Sequence, residues 1–108
     1  MTVGEWLSAR TPAPPALLAA RLRVLFGARI GDRSSSAYDA ALSTAETLLA
    51  ELMALDCAGR ERALDLLAVD AMVTYAFEAA SESPDTLSAR AAAAMVGIAK
   101  LASAQPAA

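Results

Sequence analysis

The segment SAYDAALSTAETLLAELMAL, residues 36–55, carries the plainest structural signal in the chain. Tyr38, Leu42, Ala45, Leu49 and Leu52 are separated by alternating steps of four and three residues, the spacing that aligns side chains on one face of an α-helix. Leu48, Met53 and Leu55 widen that stripe, while Asp39, Ser43, Glu46 and Thr47 fall on the other side. Ser36-Ala37-Tyr38-Asp39 has the form of a capping box and marks the helix start. The pattern predicts an amphipathic helix that faces a core.

Towards the carboxyl end, Asp56-Cys57-Ala58-Gly59 interrupts the pattern, and a second long helix is expected over about 60–82. Leu64, Leu66, Leu67, Val69, Met72, Val73, Tyr75 and Phe77 surround much of its circumference, as expected of a central helix touched on several sides. Ser83-Pro84-Asp85 then offers an N-cap, a first-turn proline and an early carboxylate, predicting a third long helix over about 84–103. Residues 104–108, interrupted by Pro106, are expected to fray.

Towards the amino end, residues 27–35 show no sustained period and are expected to form a flexible connection. Before it, a helix over about 15–26 begins behind Pro15 and ends at Gly27, a residue suited to positive φ. Thr11-Pro12-Ala13-Pro14-Pro15 cannot be helical, because proline lacks an amide hydrogen and disfavours helical geometry in its predecessor. Thr2-Val3-Gly4-Glu5 is a capping box that opens a short first helix over about 3–10. The expected fold is therefore all-α: one domain over residues 1–103, with an up-down-up core of three long helices covered by two shorter ones. Short links at 56–59 and 82–83 favour antiparallel neighbours.

Composition limits the chemistry. Of 108 residues, 56% are hydrophobic, above the usual share for a soluble domain, and no histidine is present. That removes the commonest general base and metal ligand, so neither a cofactor nor a metal is expected. The one cysteine, Cys57, can form no internal disulfide and has no histidine to activate it; a reducing, cytoplasmic compartment is expected. No basic segment leads into an apolar run at the amino end, and the longest apolar uncharged run, 91–99, is about half of a bilayer span, so neither export nor membrane spanning is expected.

The net charge of −3 is unevenly distributed: residues 1–36 carry +3, residues 37–89 carry −8 and the remainder +2. Two explanations are open. The basic flanks pack against the acidic middle of their own chain, or a basic amino-terminal arm docks onto an acidic surface of another molecule. An acidic chain without a dense basic face is not expected to bind nucleic acid. Arg21 and Arg23 on the second helix are too few to predict a membrane-surface helix.

Two helices carry more apolar surface than one contact uses. On the last helix, Leu87, Ala91, Ala94, Met95, Ile98 and Leu101 form a core stripe, yet Ala89, Ala92, Ala93 and Val96 lie opposite it. On the second helix, Leu18, Leu22, Leu25 and Phe26 face inward, with Leu17 and Val24 on another face. Leu17, Val24, Ala89, Ala92, Ala93 and Val96 are therefore candidate interface residues, most simply for a homodimer.

Asp70, Thr74 and Glu78, at i, i+4 and i+8, form the most suggestive polar stripe, with Tyr75 beside it. Near an apolar wall two carboxylates can divide acid and base roles; the plainer reading is a solvated helix edge, or pairing with arginines such as Arg21 or Arg23. Trp6 and the proline elbow offer either a recognition surface or a plug that stacks on the prolines. No catalytic residue is assigned. Two functions follow as expectations: a helical protein–protein interaction module, homodimeric and acting as an accessory, adaptor or regulatory protein, or a small-molecule binding protein with an apolar cavity beside the central helix and simple acid–base activity as an option.

Overall fold

The computed structural model describes residues 1–55 and 59–103; Cys57 and the tail at 104–108 lie outside them. The protein is all-α, with five α-helices among the described residues: α1 (Val3–Ser8), α2 (Ala16–Phe26), α3 (Ala37–Ala54), α4 (Arg60–Ala80) and α5 (Pro84–Ser103). Two 3-10 turns, Gly27–Gly31 and Ser34–Ser36, join α2 to α3.

The first helix starts where its capping box requires. The Glu5 amide donates to Thr2 Oγ1 at 3.1 Å and the Thr2 amide to Glu5 Oε1 at 3.2 Å, satisfying two amides that an α-helix leaves without intrahelical partners. The second box does not form. Ser36 has φ −94° and ψ 5° and its side chain caps nothing, because a 3-10 turn runs directly into α3 and the Ala37 amide already donates to the Ser34 carbonyl.

The segment expected to be a flexible connection forms 3-10 turns that are built around the amino terminus. Val3 N donates to the Asp32 carbonyl at 2.7 Å, Ser34 N to the Met1 carbonyl at 3.0 Å, and Thr2 pairs with Arg33 in an isolated antiparallel bridge. Arg29 adds bonds to the Ala40 carbonyl and to Ser43 Oγ. Gly4 makes this seat possible, since a Cβ there would overlap Ile30 Cγ2. The absence of side-chain periodicity correctly excludes a long helix, but backbone pairing of this kind leaves no periodic trace.

The core sits between α3 and α4, the most extensive helix pair. On α3 the fully buried face is Tyr38, Ala41, Ala45, Leu48 and Leu52, with Ala37 and Ala40 beside it. Leu42 and Leu49 of the expected stripe are only partly buried, so the helix is rotated towards its small residues. On α4, Ala68, Met72, Ala76 and Ala80 repeat every four residues and are inaccessible to solvent. The large residues expected to make α4 central behave differently: Val69, Val73, Tyr75 and Phe77 are half-buried, and Leu66 and Leu67 are exposed. Alanine allows the two axes to approach closely, which larger side chains would prevent.

The other helices flank this pair. α1 and α2 lie on the side of α4 that carries Tyr75, where Trp6 meets Tyr75 edge to face at 6.5 Å between ring centroids. α5 lies on the side that carries Phe77, which meets Tyr38 edge to face at 5.8 Å. Tyr38 also ties α5 to α3: its hydroxyl donates to the Arg90 carbonyl at 3.3 Å and the Arg90 guanidinium covers its ring. Met95, expected in the core, is exposed instead, and Ala94 is the one buried residue of α5 among those described. No helix among the described residues is long and apolar enough to cross a membrane.

Candidate functional site

The Thr11–Pro15 elbow turns the chain between α1 and α2 and leaves a cleft of about 230 Å³ between them and α4. Leu7, Ala13, Pro14, Ala19 and Leu22 form its apolar wall; Tyr75, Ser8, Arg10 and Arg23 supply the polar groups. Each comes from an element held by its own local chemistry. The capping box orients α1, proline geometry fixes the elbow, and Leu22 is anchored in the core.

The two arginines are held differently. The Arg10 guanidinium lies 3.8 Å from the centroid of the Trp6 ring, donates from Nε to the Trp6 carbonyl at 3.1 Å and pairs with Glu78 Oε2 at 3.2 Å. Its charge is matched and its position is constrained on three sides. Arg23 Nη2 donates to Ser8 Oγ at 2.6 Å, and no described carboxylate lies within ion-pair distance of it. Glu5, which shares a shallow hollow with Arg23, has Oε1 on the Thr2 amide.

Burial raises the Tyr75 phenol above its ordinary value near 10; the Glu78 charge pushes the same way and Arg10 opposes both. Tyr75 is therefore a neutral hydrogen-bonding group at physiological pH, not a phenolate nucleophile.

The polar stripe does not converge. Asp70, Thr74 and Glu78 share the exposed side of α4, and the Thr74 hydroxyl donates to the Asp70 carbonyl one turn back, a bond that competes with solvent. Tyr75 alone of the four reaches the cleft wall, and Glu78 touches the site only through Arg10. Among the described residues no group of three or more potential ligands could hold a metal ion. Of the stripe, Glu78 pairs with Arg10, while Arg21 forms a two-point bond with Asp65, at 2.7 and 3.1 Å, and Arg23 bonds to Ser8. These two ion pairs join the basic amino-terminal segment to the acidic middle of the same chain, so part of the charge segregation is compensated internally.

Trp6 is buried and takes no part in a surface. Its ring is covered by Arg10 and meets Tyr75 edge to face, and its indole N–H reaches Glu82 at 3.5 Å. The roles of Arg10, Arg23 and Ser8 were not legible in the sequence, because they depend on a fold-back at the elbow. The closest signal was the run of three prolines after Arg10.

The candidate interface residues are exposed, but on two flanks. Leu17 and Val24 project from α2, while Ala89, Ala92, Ala93 and Val96 belong to α5 across the α3–α4 pair. Ala89 and Ala93 also line a shallow groove against Tyr38, Leu42 and Glu46 of α3. A second open hollow, of about 520 Å³, lies between the end of α2 and α3 and is bordered by Arg29, Ser43 and Thr47.

The class defined by fold and site is thus a small all-α bundle with a partly enclosed cleft beside α4. No family model, curated protein or solved structure matches the chain.

Proposed function

We propose that the protein is a helical interaction module that pairs with a second copy of itself through the outer face of α5, serving as an accessory, adaptor or regulatory subunit. The observation that carries this reading is the exposure of Met95 (72%) and Val96 (55%) on a face otherwise made of Ala89, Ala92, Ala93 and Ala99. Single exposed apolar residues are ordinary; a continuous apolar helix face is a docking surface.

The sequence of α5 favours a like partner. Residues 91–99 carry no charge, so two copies meet without repulsion at the centre. Asp85 and Lys100 are equidistant from the point between Ala92 and Ala93, and so are Ala89 and Val96. In an antiparallel pair centred there, twofold symmetry places each Asp85 level with Lys100 of the second copy and each Val96 against an alanine. Opposite charges meet at both ends, and Val96 faces the small Ala89 of the second copy.

Analytical ultracentrifugation across micromolar concentrations tests this. A dimer is expected for the native sequence and a folded monomer for Val96→Glu. Lys100→Asp weakens pairing, and adding Asp85→Lys restores it. A native chain that remains monomeric throughout overturns the reading, and a double variant that fails to recover overturns the antiparallel register.

Ligand binding is the second reading, and the cleft lined by Tyr75 favours it. It resembles small-molecule sites in being apolar with a few convergent polar groups, although its volume is below the roughly 300–1,000 Å³ of sites for drug-sized ligands.

A further inference from the structure

We infer that the cleft between α1, the elbow, α2 and Tyr75 binds a small molecule with a short apolar body and a single carboxylate. This rests on the ligand-binding reading and specifies its chemistry.

Three features of the site select that class. The wall formed by Leu7, Pro14 and Leu22 offers an apolar body dispersion contacts and removal from water. The mouth holds two guanidinium groups but only one matched carboxylate: Glu78 compensates Arg10, whereas Arg23 has a hydroxyl as its partner. One uncompensated positive charge calls for one negative charge. A phosphate carrying two charges would face a net deficit of cation, and an amine would face repulsion from the unmatched Arg23. A carboxylate also fits the planar donor edge of arginine, which binds its two oxygens side by side.

The volume sets the size. At the roughly 30 Å³ that one water molecule occupies in the liquid, 230 Å³ holds about eight non-hydrogen atoms. That is the size of hexanoate. In the bound state the alkyl chain lies along Leu22 and Pro14, the carboxylate accepts from Arg23, and Ser8 Oγ, released from Arg23 or still bonded to it, borders the anion. Tyr75, neutral at physiological pH, adds an uncharged donor to the same wall.

The test compares three probes of equal length, hexanoate, 1-hexanol and hexylamine, by NMR titration of the amides lining the cleft and by fluorescence of Trp6, which contacts Tyr75. Hexanoate is expected to bind about tenfold more tightly than hexanol, the ratio that one charge-assisted hydrogen bond of about 1.4 kcal/mol supplies. Hexylamine is not expected to bind. Arg23→Gln is expected to weaken hexanoate binding more than hexanol binding, so that the preference for the acid falls to about twofold or less; because Arg23 is exposed and makes one side-chain bond, that variant retains the native fold, as its circular dichroism would verify. Ala19→Met fills the cleft and abolishes binding of both. Equal affinity for hexanoate and hexanol overturns the carboxylate assignment while leaving a ligand cleft in place. If neither probe shifts the lining amides at millimolar concentration, the ligand-binding reading fails with it.

Discussion

Helices α4 and α5 are nearly equal in length, and α5 is the less charged, with three ionised residues against six on α4. Yet α4 buries Ala68, Met72, Ala76 and Ala80 completely, whereas α5 buries Ala94 alone among its described residues. Burial here follows position, not apolar content. α4 packs against α3 along its length and has α1 and α2 on one flank and α5 on the other, so even alanines vanish from solvent. α5 has a neighbour on one side only, and its excess apolar surface remains at the periphery, where a second copy can cover it.

The contrast can be broken most directly at two methionines. Met72→Ala is expected to cost about 3 kcal/mol, because Met72 is fully buried and the core around it relaxes only partly into the cavity left behind. Met95→Ala, at an exposed site, should change the stability of the monomer by less than about 0.5 kcal/mol. Urea denaturation at sub-micromolar protein concentration measures both, and equal losses would show that α5 is as well seated as α4.

Gly4→Ala should follow, with a loss of about 2 kcal/mol from the collision with Ile30. Because that contact holds α1 on the first 3-10 turn, the same variant is expected to raise hydrogen exchange at the Val3 and Ser34 amides ahead of those in α4. Uniform acceleration across the chain would mean that the amino-terminal assembly is not a separate unit.

Tyr38 sharpens the comparison because it is the polar link between α5 and α3. Tyr38→Phe removes the bond to the Arg90 carbonyl and is expected to cost about 1 kcal/mol. Burial raises its phenol above the ordinary value near 10, with Arg90 opposing and Asp39 and Glu46 assisting; Tyr75 shifts the same way. Folded pKa values above the unfolded one mean that this stability is fully present below pH 10 and is lost as pH rises through the folded values. Ultraviolet titration of the tyrosines should therefore show both ionising above pH 10, with unfolding stability falling in that window and the fall reduced in Tyr38→Phe.

The smallest effect belongs to Asp70→Ala. On the exposed side of α4, away from the cleft, it should alter stability by under about 0.5 kcal/mol and leave hexanoate titration unchanged. A lost ligand response would return the polar stripe to the site.

Much of the fold was readable locally. The Thr2 capping box, the prolines at 12, 14 and 15 and the opening at Pro84 act within a few residues, so they mark element boundaries without reference to the rest of the chain. The site was less readable. Tyr75 and the exposed α5 face could be singled out by spacing, but Arg10, Ser8 and Arg23 are brought together across the elbow, and nothing in their separation announces it.

The amino-acid sequence by itself determined an all-α chain, the number and approximate limits of its helices, and the lack of histidine chemistry, because periodicity, capping and composition are local or additive properties. Tertiary structure alone decided that Ala68, Met72, Ala76 and Ala80 rather than the leucines of α4 face the core, that residues 27–36 fold onto the amino terminus, and that Arg23 stands at a cleft mouth with no described carboxylate within ion-pair distance. Each of those depends on which surfaces meet, and that is set by the packing of distant segments against one another.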